Sequence, residues 1–281
     1  MNITALNIYK YSLKLVKPVS IRGQLLDRRD GFILQIQSQG NIEGFGDVAP
    51  LPGFSMETFS QARDQLIFLK SKLGDHEIPG GLINFDGHFE RWLKPFGLCS
   101  SVRFGIESAV LHLLANTRGC PVYKLIPAST NHTVRIAGLL TGTDEEITDQ
   151  VKAMITEGFT EFKLKVGGNV DEDIVRVKAV NSIASGKALL HVDANQQWSY
   201  DEALYFGKEI GCAAVSYIEE PFAETQRIPE FFDATLIPVA LDESLRNLTL
   251  ELIRAIAGVE TVIIKPTIMR TTGQVSGATQ S

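Results

Sequence analysis

The sequence predicts an α/β protein: an N-terminal α+β domain over residues 1–125, followed over residues 126–281 by parallel βα units of the kind that close into a barrel. Three observations carry this reading. Near the N-terminus apolar and polar residues alternate with the period of two that a half-buried strand requires. Beyond Pro121 and the polar stretch from Ala128 to His132 the pattern changes to short β-branched runs separated by helical segments. Those runs recur every ~23 to 28 residues, the length of one strand-loop-helix-loop unit.

Taken in order, the runs from Thr4 to Val16 and from Gly31 to Ser38 read as antiparallel strands. The glycine- and proline-rich segment from Gly44 to Phe54 reads as an ordered loop, because both residue types punctuate regular structure. Met56 to Ala62 opens an amphipathic helix, and Ser101 to Leu114 forms another, with apolar residues three and four apart. Six strands follow: Val134 to Leu140, Glu161 to Val166, Ala188 to Val192, Ala214 to Ile218, Ile237 to Leu241 and Thr261 to Ile264. Between the third and fourth, Ser199 and Glu202 are spaced as a capping box leading into a helix from Ala203 to Ile210.

Composition narrows the function classes. Of 281 residues, 27 are Lys or Arg against 33 Asp or Glu, a formal charge of −6, and no basic run occurs. Neither nucleic acid nor an anionic membrane surface is an expected partner. No apolar stretch approaches the roughly 20 residues of a spanning helix. The first residues, MNITALNIYKYSLKLV, lack the basic head and apolar block of a signal peptide, so a cytoplasmic protein is expected. The three cysteines, Cys99, Cys120 and Cys212, include no CxxC pair, which argues against structural zinc and a disulfide framework. Oligomeric state leaves no mark in this sequence.

Five consecutive barrel strands end on charge: Lys163-Leu-Lys165, His191-Val-Asp193, Ile218-Glu219-Glu220, Leu241-Asp242-Glu243 and Ile264-Lys265. A single Asp after a strand is ordinarily a helix N-cap, and a single closing Lys an ordinary snorkelling side chain. A set of three acids on adjacent strands, flanked by lysines on the strands to either side, asks for more. The carboxyl ends of barrel strands are where active sites are built. Three carboxylates without His or Cys make a hard-oxygen site suited to a Mg²⁺-like cation. Lys163 and Lys165, two apart, share one face of their strand. In an eight-stranded barrel Lys265 would face them from the opposite side. A lysine held among other cations can serve as a base near neutral pH. The predicted chemistry is therefore metal-assisted proton abstraction beside a carboxylate, on a small-molecule carboxylate substrate.

At these residues the sequence resembles the enolase superfamily, in its KxK (muconate-lactonizing-like) subgroup, and within that the o-succinylbenzoate synthase family. The resemblance runs through Arg29-Asp-Gly31, the segment from Gly44 to Ser55, Lys163-Leu-Lys165, Asp193-Ala-Asn195, Glu219-Glu-Pro221, Asp242-Glu-Ser244 and Ile264-Lys-Pro-Thr267. It implies that residues 1–125 cap an enolase-type barrel. It implies that Asp193, Glu219 and Asp242 hold Mg²⁺ (or Mn²⁺), that Lys165 is the general base, that Lys163 tunes it, and that Lys265 stabilises the enolate from the other face. Arg22, Gly53, Phe54 and Asn195 would contact the substrate. The implied reaction is loss of water from a hydroxycyclohexadiene carboxylate to give 2-succinylbenzoate, in menaquinone or phylloquinone synthesis. Dipeptide epimerases and N-acylamino acid racemases share the same residues. The family barrel has two strands beyond the sixth, whereas only the 16 residues from Pro266 to Ser281 follow Lys265. The barrel is thus expected to stop after strand 6, and the isolated chain to be an inactive, poorly folded fragment.

Overall fold

A computed structural model describes residues 1–21, 24–74, 76–85, 87–126, 133–265 and 267. The chain divides into two compact units, Met1–Thr130 with Lys265–Ser281, and Asn131–Ile264.

The first unit is built on an antiparallel sheet of three strands in the order β1 (Ile3–Ile21), β2 (Gln24–Ser38), β3 (Glu43–Val48). Alternation places Phe32, Leu34 and Ile36 of β2 in the core. Three helices follow: α1 (Phe59–Lys72), α2 (His88–Leu93) and α3 (Ser100–Thr117). Helix α1 begins later than the expected opening at Met56, because Thr58 and Gln61 form a capping box.

The segment from Gly44 to Val48, expected as loop, is instead strand β3, with Gly44 opposite Ile36 and Gly46 opposite Leu34. The loop begins only at Ala49. Its glycines mark close approach and not a turn: a Cβ on Gly44 would collide with the Ala109 carbonyl of α3, and one on Gly46 with that of Gly105. Sequence gives the same letter for both uses of glycine. Replacing Gly46 by alanine is therefore expected to destabilise this unit by about 2–3 kcal/mol through overpacking. A urea titration checks it, and an unchanged midpoint would mean that β3 and α3 can separate at no cost.

The second unit is a parallel sheet of six strands in chain order: β4 (Gly138–Leu140), β5 (Glu161–Lys165), β6 (Leu189–Asp193), β7 (Tyr217–Glu219), β8 (Val239–Leu241) and β9 (Val259–Val262). Helices α4 (Asp144–Glu157), α5 (Val170–Ala184), α6 (Tyr200–Ile210), α7 (Ile228–Thr235) and α8 (Leu250–Ala255) connect them. The Ser199–Glu202 capping box is present and opens α6. Sequential parallel order with a helix in each crossover is barrel topology, and among the described residues β4 and β9 do not pair with each other. Strand β4 is shorter than expected, since Val134 and Ile136 are exposed and outside the ladder.

The core of this unit fills one face of the sheet with Phe162, Leu164, Leu190, Val192 and Ile218 against Val177, Phe206 and Phe231 of the helices. On β5, Phe162 and Leu164 face that core, so Glu161, Lys163 and Lys165 must face the other way.

Candidate active site

Parallel register sets the residues in line before any side chain is placed. Lys165 pairs with Asp193, and Asp193 with Glu219, so the ends of β5, β6 and β7 carry one lysine and two acids in a single row. Asp242 lies immediately beyond β8. Asp193, Glu219 and Asp242 are all buried. None is an N-cap of a crossover helix with a side-chain capping bond: Ser199 caps α6, and Asp242, which precedes a short 3₁₀ turn, makes no capping bond.

Buried carboxylates need counter-charge, and the two lysines supply it. Lys163 Nζ donates to Glu219 Oε2 at 2.6 Å and lies 2.9 Å from Asp193 Oδ2. Lys165 Nζ donates to Asp193 Oδ2 at 2.7 Å and to Asn195 Oδ1. Their exposures differ in a way that matters. The Lys163 side chain is 25 % exposed and clamped between two acids, whereas that of Lys165 is 50 % exposed at the mouth of the row.

Electrostatics follow from this packing. Burial works against the charge of Lys163, yet the Asp193 and Glu219 carboxylates hold its proton above the ordinary lysine range. Burial would raise the Asp193 carboxyl, but the two ammonium groups outweigh it and bring it below the usual range. Glu219 is pushed up to about 7 by burial and by the Asp193 carboxylate, only partly offset by Lys163. Its Oε1 atom is buried with no hydrogen-bond partner among the described residues. An acceptor so placed costs about 1–3 kcal/mol.

These features bear on the cation that the sequence implies. Among the described residues no three His, Cys, Asp or Glu side chains are gathered closely enough to hold an ion as they stand. The Lys163 ammonium lies between the acids instead. In donor type the site nonetheless fits a hard divalent ion: the three acids offer carboxylate oxygens, one of them a buried oxygen of Glu219 without a partner among the described residues, and Lys163 offsets the burial of Glu219 only in part.

Of the other anticipated residues, Asn195 joins the row, accepting from Lys165 and donating to Glu243 Oε1 at 3.2 Å. Lys265 and Phe54 meet within the first unit, with Nζ 4.6 Å from the ring centroid. Gly53 has φ +75° in the turn that closes with Phe54 and Ser55 donating to the Leu51 carbonyl. Arg29 braces this loop by donating to the carbonyls of Pro50 and Ala49. Arg22 lies outside the described residues.

Two groups of residues escaped the sequence reading. Two positions before the site on each strand lie Glu161, His191 and Tyr217, a polar layer in which His191 stacks on Tyr217 at 4.4 Å and its Nε2 is 3.4 Å from Glu161. Period-two extension from Lys163, Asp193 and Glu219 would have found it. The other is Gln196 (φ +60°), together with the left-handed backbone that it shares with Glu220 (φ +43°) and with Asn195 (φ +46°), the last of these anticipated only as a substrate contact, at the ends of β6 and β7. Non-glycine residues in this region cost about 1–3 kcal/mol each and persist only where surroundings over-determine them. Three of them at one strand edge mark the site, with only the Glu-Glu-Pro triplet as an outward sign.

Known proteins resemble this chain along most of its length. Residues 146–277 match the "Enolase C-terminal domain-like" family and residues 3–113 the "MenC, N-terminal domain" family. The chain is 28 % identical over 270 residues to the o-succinylbenzoate synthase of Aliivibrio salmonicida, covering 95 % of this chain and 74 % of that protein. It is 28 % identical over 263 residues to the chloroplastic protein PHYLLO of Arabidopsis thaliana, covering 86 % of this chain but only 15 % of the relative. Among solved structures it superposes on the L-Ala-D/L-Glu epimerase of Bacillus subtilis with TM-score 0.85 at 19 % identity, over 98 % of this chain and 78 % of the epimerase. A dipeptide epimerase of Cytophaga hutchinsonii complexed with Mg and the dipeptide D-Ala-L-Val gives 0.84 at 21 %, over 98 % and 75 %. At such identities the structural likeness establishes the fold.

Proposed function

Because this chain belongs to the enolase superfamily, we propose that it is a lyase of the o-succinylbenzoate synthase type, eliminating water from a hydroxycyclohexadiene carboxylate. The observation that carries this is the row Lys165, Asp193, Glu219, in which the half-exposed member is an amine able to move a proton and the buried members are hard anions. The choice of the synthase over an epimerase is supported by the MenC-type first unit and by relatives whose similarity runs through nearly the whole chain.

In this reading Asp193, Glu219 and Asp242 would hold Mg²⁺, which would supply positive charge beside the substrate carboxylate. Mn²⁺ would serve the same donors. Lys165 takes the proton beside the substrate carboxylate at Nζ, with Asn195 holding the amine in place. The electron pair left behind expels the hydroxyl group, which takes up the proton now on Lys165 Nζ and leaves as water, and the ring becomes aromatic. Lys163 keeps Asp193 and Glu219 together and fixes the charge next to the base. Lys265 is assigned electrostatic stabilisation of the resulting anion, the role that the family resemblance implies.

The test follows the aromatic product by ultraviolet absorbance with MgCl₂ and with EDTA, alongside deuterium exchange into the α positions of dipeptides. Since the chain spans 74 % of the Aliivibrio synthase, both the 281-residue chain and a version carrying two further βα units are assayed. Metal-dependent formation of the aromatic acid by the extended version is the expected result, with none from the 281-residue chain. Dipeptide exchange without aromatic product would replace the lyase with an epimerase.

A further inference from the structure

Glu220 is 1 % exposed, as buried as the acids around it, yet it faces neither lysine. Its left-handed backbone, φ +43°, departs from the extended strand that ends at Glu219, so its side chain need not follow the alternation that aims Glu219 into the row. Its Oε1 accepts two backbone N–H groups, that of Asp242 at 2.7 Å and that of Ser244 at 2.8 Å. Its Oε2 accepts the Ser244 hydroxyl at 2.7 Å and the Gln196 side-chain amide at 2.7 Å. The Gln196 N–H donates to the Glu220 carbonyl at 2.7 Å, and the Glu220 N–H to the Ala240 carbonyl at 3.0 Å. One residue therefore ties together the segments that follow β6, β7 and β8, the first two directly after Asp193 and Glu219 and the third beginning with Asp242.

We propose that Glu220 is a positioning residue whose carboxylate fixes the backbone at Asp242 and Ser244 and the side chain of Gln196, and so sets how the three acids present their oxygens to a divalent ion. The inference rests on the metal-assisted function above. The oxygen that bridges the Asp242 and Ser244 amides does the positioning, and the negative charge is incidental to it. A carboxamide retains one such oxygen and a thioether retains none, so Glu220→Gln and Glu220→Met separate positioning from bulk.

The experiment measures amide hydrogen exchange at Asp242 and Ser244 in the metal-free chain, and Mg²⁺ affinity by calorimetry with MgCl₂ as the probe. In Glu220→Met, exchange at both amides should rise about tenfold or more, and Mg²⁺ affinity should fall by at least about tenfold. Exchange at Val192, inside β6, should stay as in the parent. Glu220→Gln should restore both readouts to within about threefold of the parent, which a demand for charge would not allow. Should Glu220→Met fail to fold, Gln196→Ala removes, at a partly exposed position, the side-chain amide that donates to Glu220 Oε2 and to Ser244 Oγ, and about fivefold weaker Mg²⁺ binding is expected from it. Parent-like exchange or parent-like Mg²⁺ affinity in Glu220→Met would overturn the role of Glu220, as would parent-like affinity in Gln196→Ala. A parent chain with protected amides that binds no Mg²⁺ would instead overturn the proposed function.

Discussion

In the version carrying two further βα units, replacing Lys165 by alanine is expected to lower turnover by about 10³- to 10⁴-fold and to abolish exchange of the substrate α-proton with solvent deuterium. The expectation comes from the unequal settings of the two lysines. Lys163 is clamped between Asp193 and Glu219, so moving its proton would strip buried Glu219 of its ammonium partner and leave Asp193 with Lys165 alone. Lys165 touches one acid and one amide and has half its side chain in solvent. Only the second can turn toward a substrate without dismantling the site. The Lys163→Ala variant should fail differently, by losing stability, because it strands buried charge. Deuterium exchange followed by NMR on the Lys165→Ala protein decides the matter. Exchange at the parent rate would move the base elsewhere, most directly to Lys265.

For Glu219→Gln the expected result is a protein that is more stable without metal and binds Mg²⁺ at least about 100-fold more weakly. Glu219 has its carboxyl pushed up to about 7 by burial and by Asp193, against 4.5 ordinarily. Between those values the folded chain holds a proton that the unfolded chain has released. Stability of the metal-free chain therefore falls as pH rises through that window, by up to about 1.4 kcal/mol per pH unit, and levels off above it. Asp193 works in the opposite sense and in another range: its lowered carboxyl stabilises the fold above the usual carboxylate range and loses that contribution only as pH falls below it. Urea unfolding at pH 5 and pH 8 should thus show the parent losing about 2–3 kcal/mol at the higher pH and the variant nearly none. MgCl₂ should abolish the difference in the parent. A parent whose stability is flat from pH 5 to 8, or a variant that binds Mg²⁺ as the parent does, would sink this account.

The local grammar of the chain was legible where one residue type has one use. The Ser199 and Glu202 pair announced the start of α6, and the period-two spacing of Lys163 and Lys165 around Leu164 announced which of them share a face. It failed where one residue type has two uses. Gly44 and Gly46 read as turn residues but serve as the smooth surface on which α3 lies, and nothing within six residues distinguishes the two. The run from Val134 read as strand because β-branched residues favour strands, whereas only Gly138–Leu140 finds a partner in β5. Propensity is a statement about one residue, and pairing a statement about two.

The sequence by itself determined the type and order of the elements, the charge at the end of each barrel strand and the identity of the acids and lysines, since these depend on periodicity and on side-chain chemistry along a few neighbouring residues. Tertiary structure decided which of those charges meet. Register between β5, β6 and β7 put Lys165, Asp193 and Glu219 in one row, and burial of that row, not any motif, raised the proton affinity of Glu219. It also gave Glu220 its place under Asp242 and Ser244, residues more than twenty positions away. A carboxylate's environment is made by whatever the fold packs against it, and that cannot be read from the residues beside it in the chain.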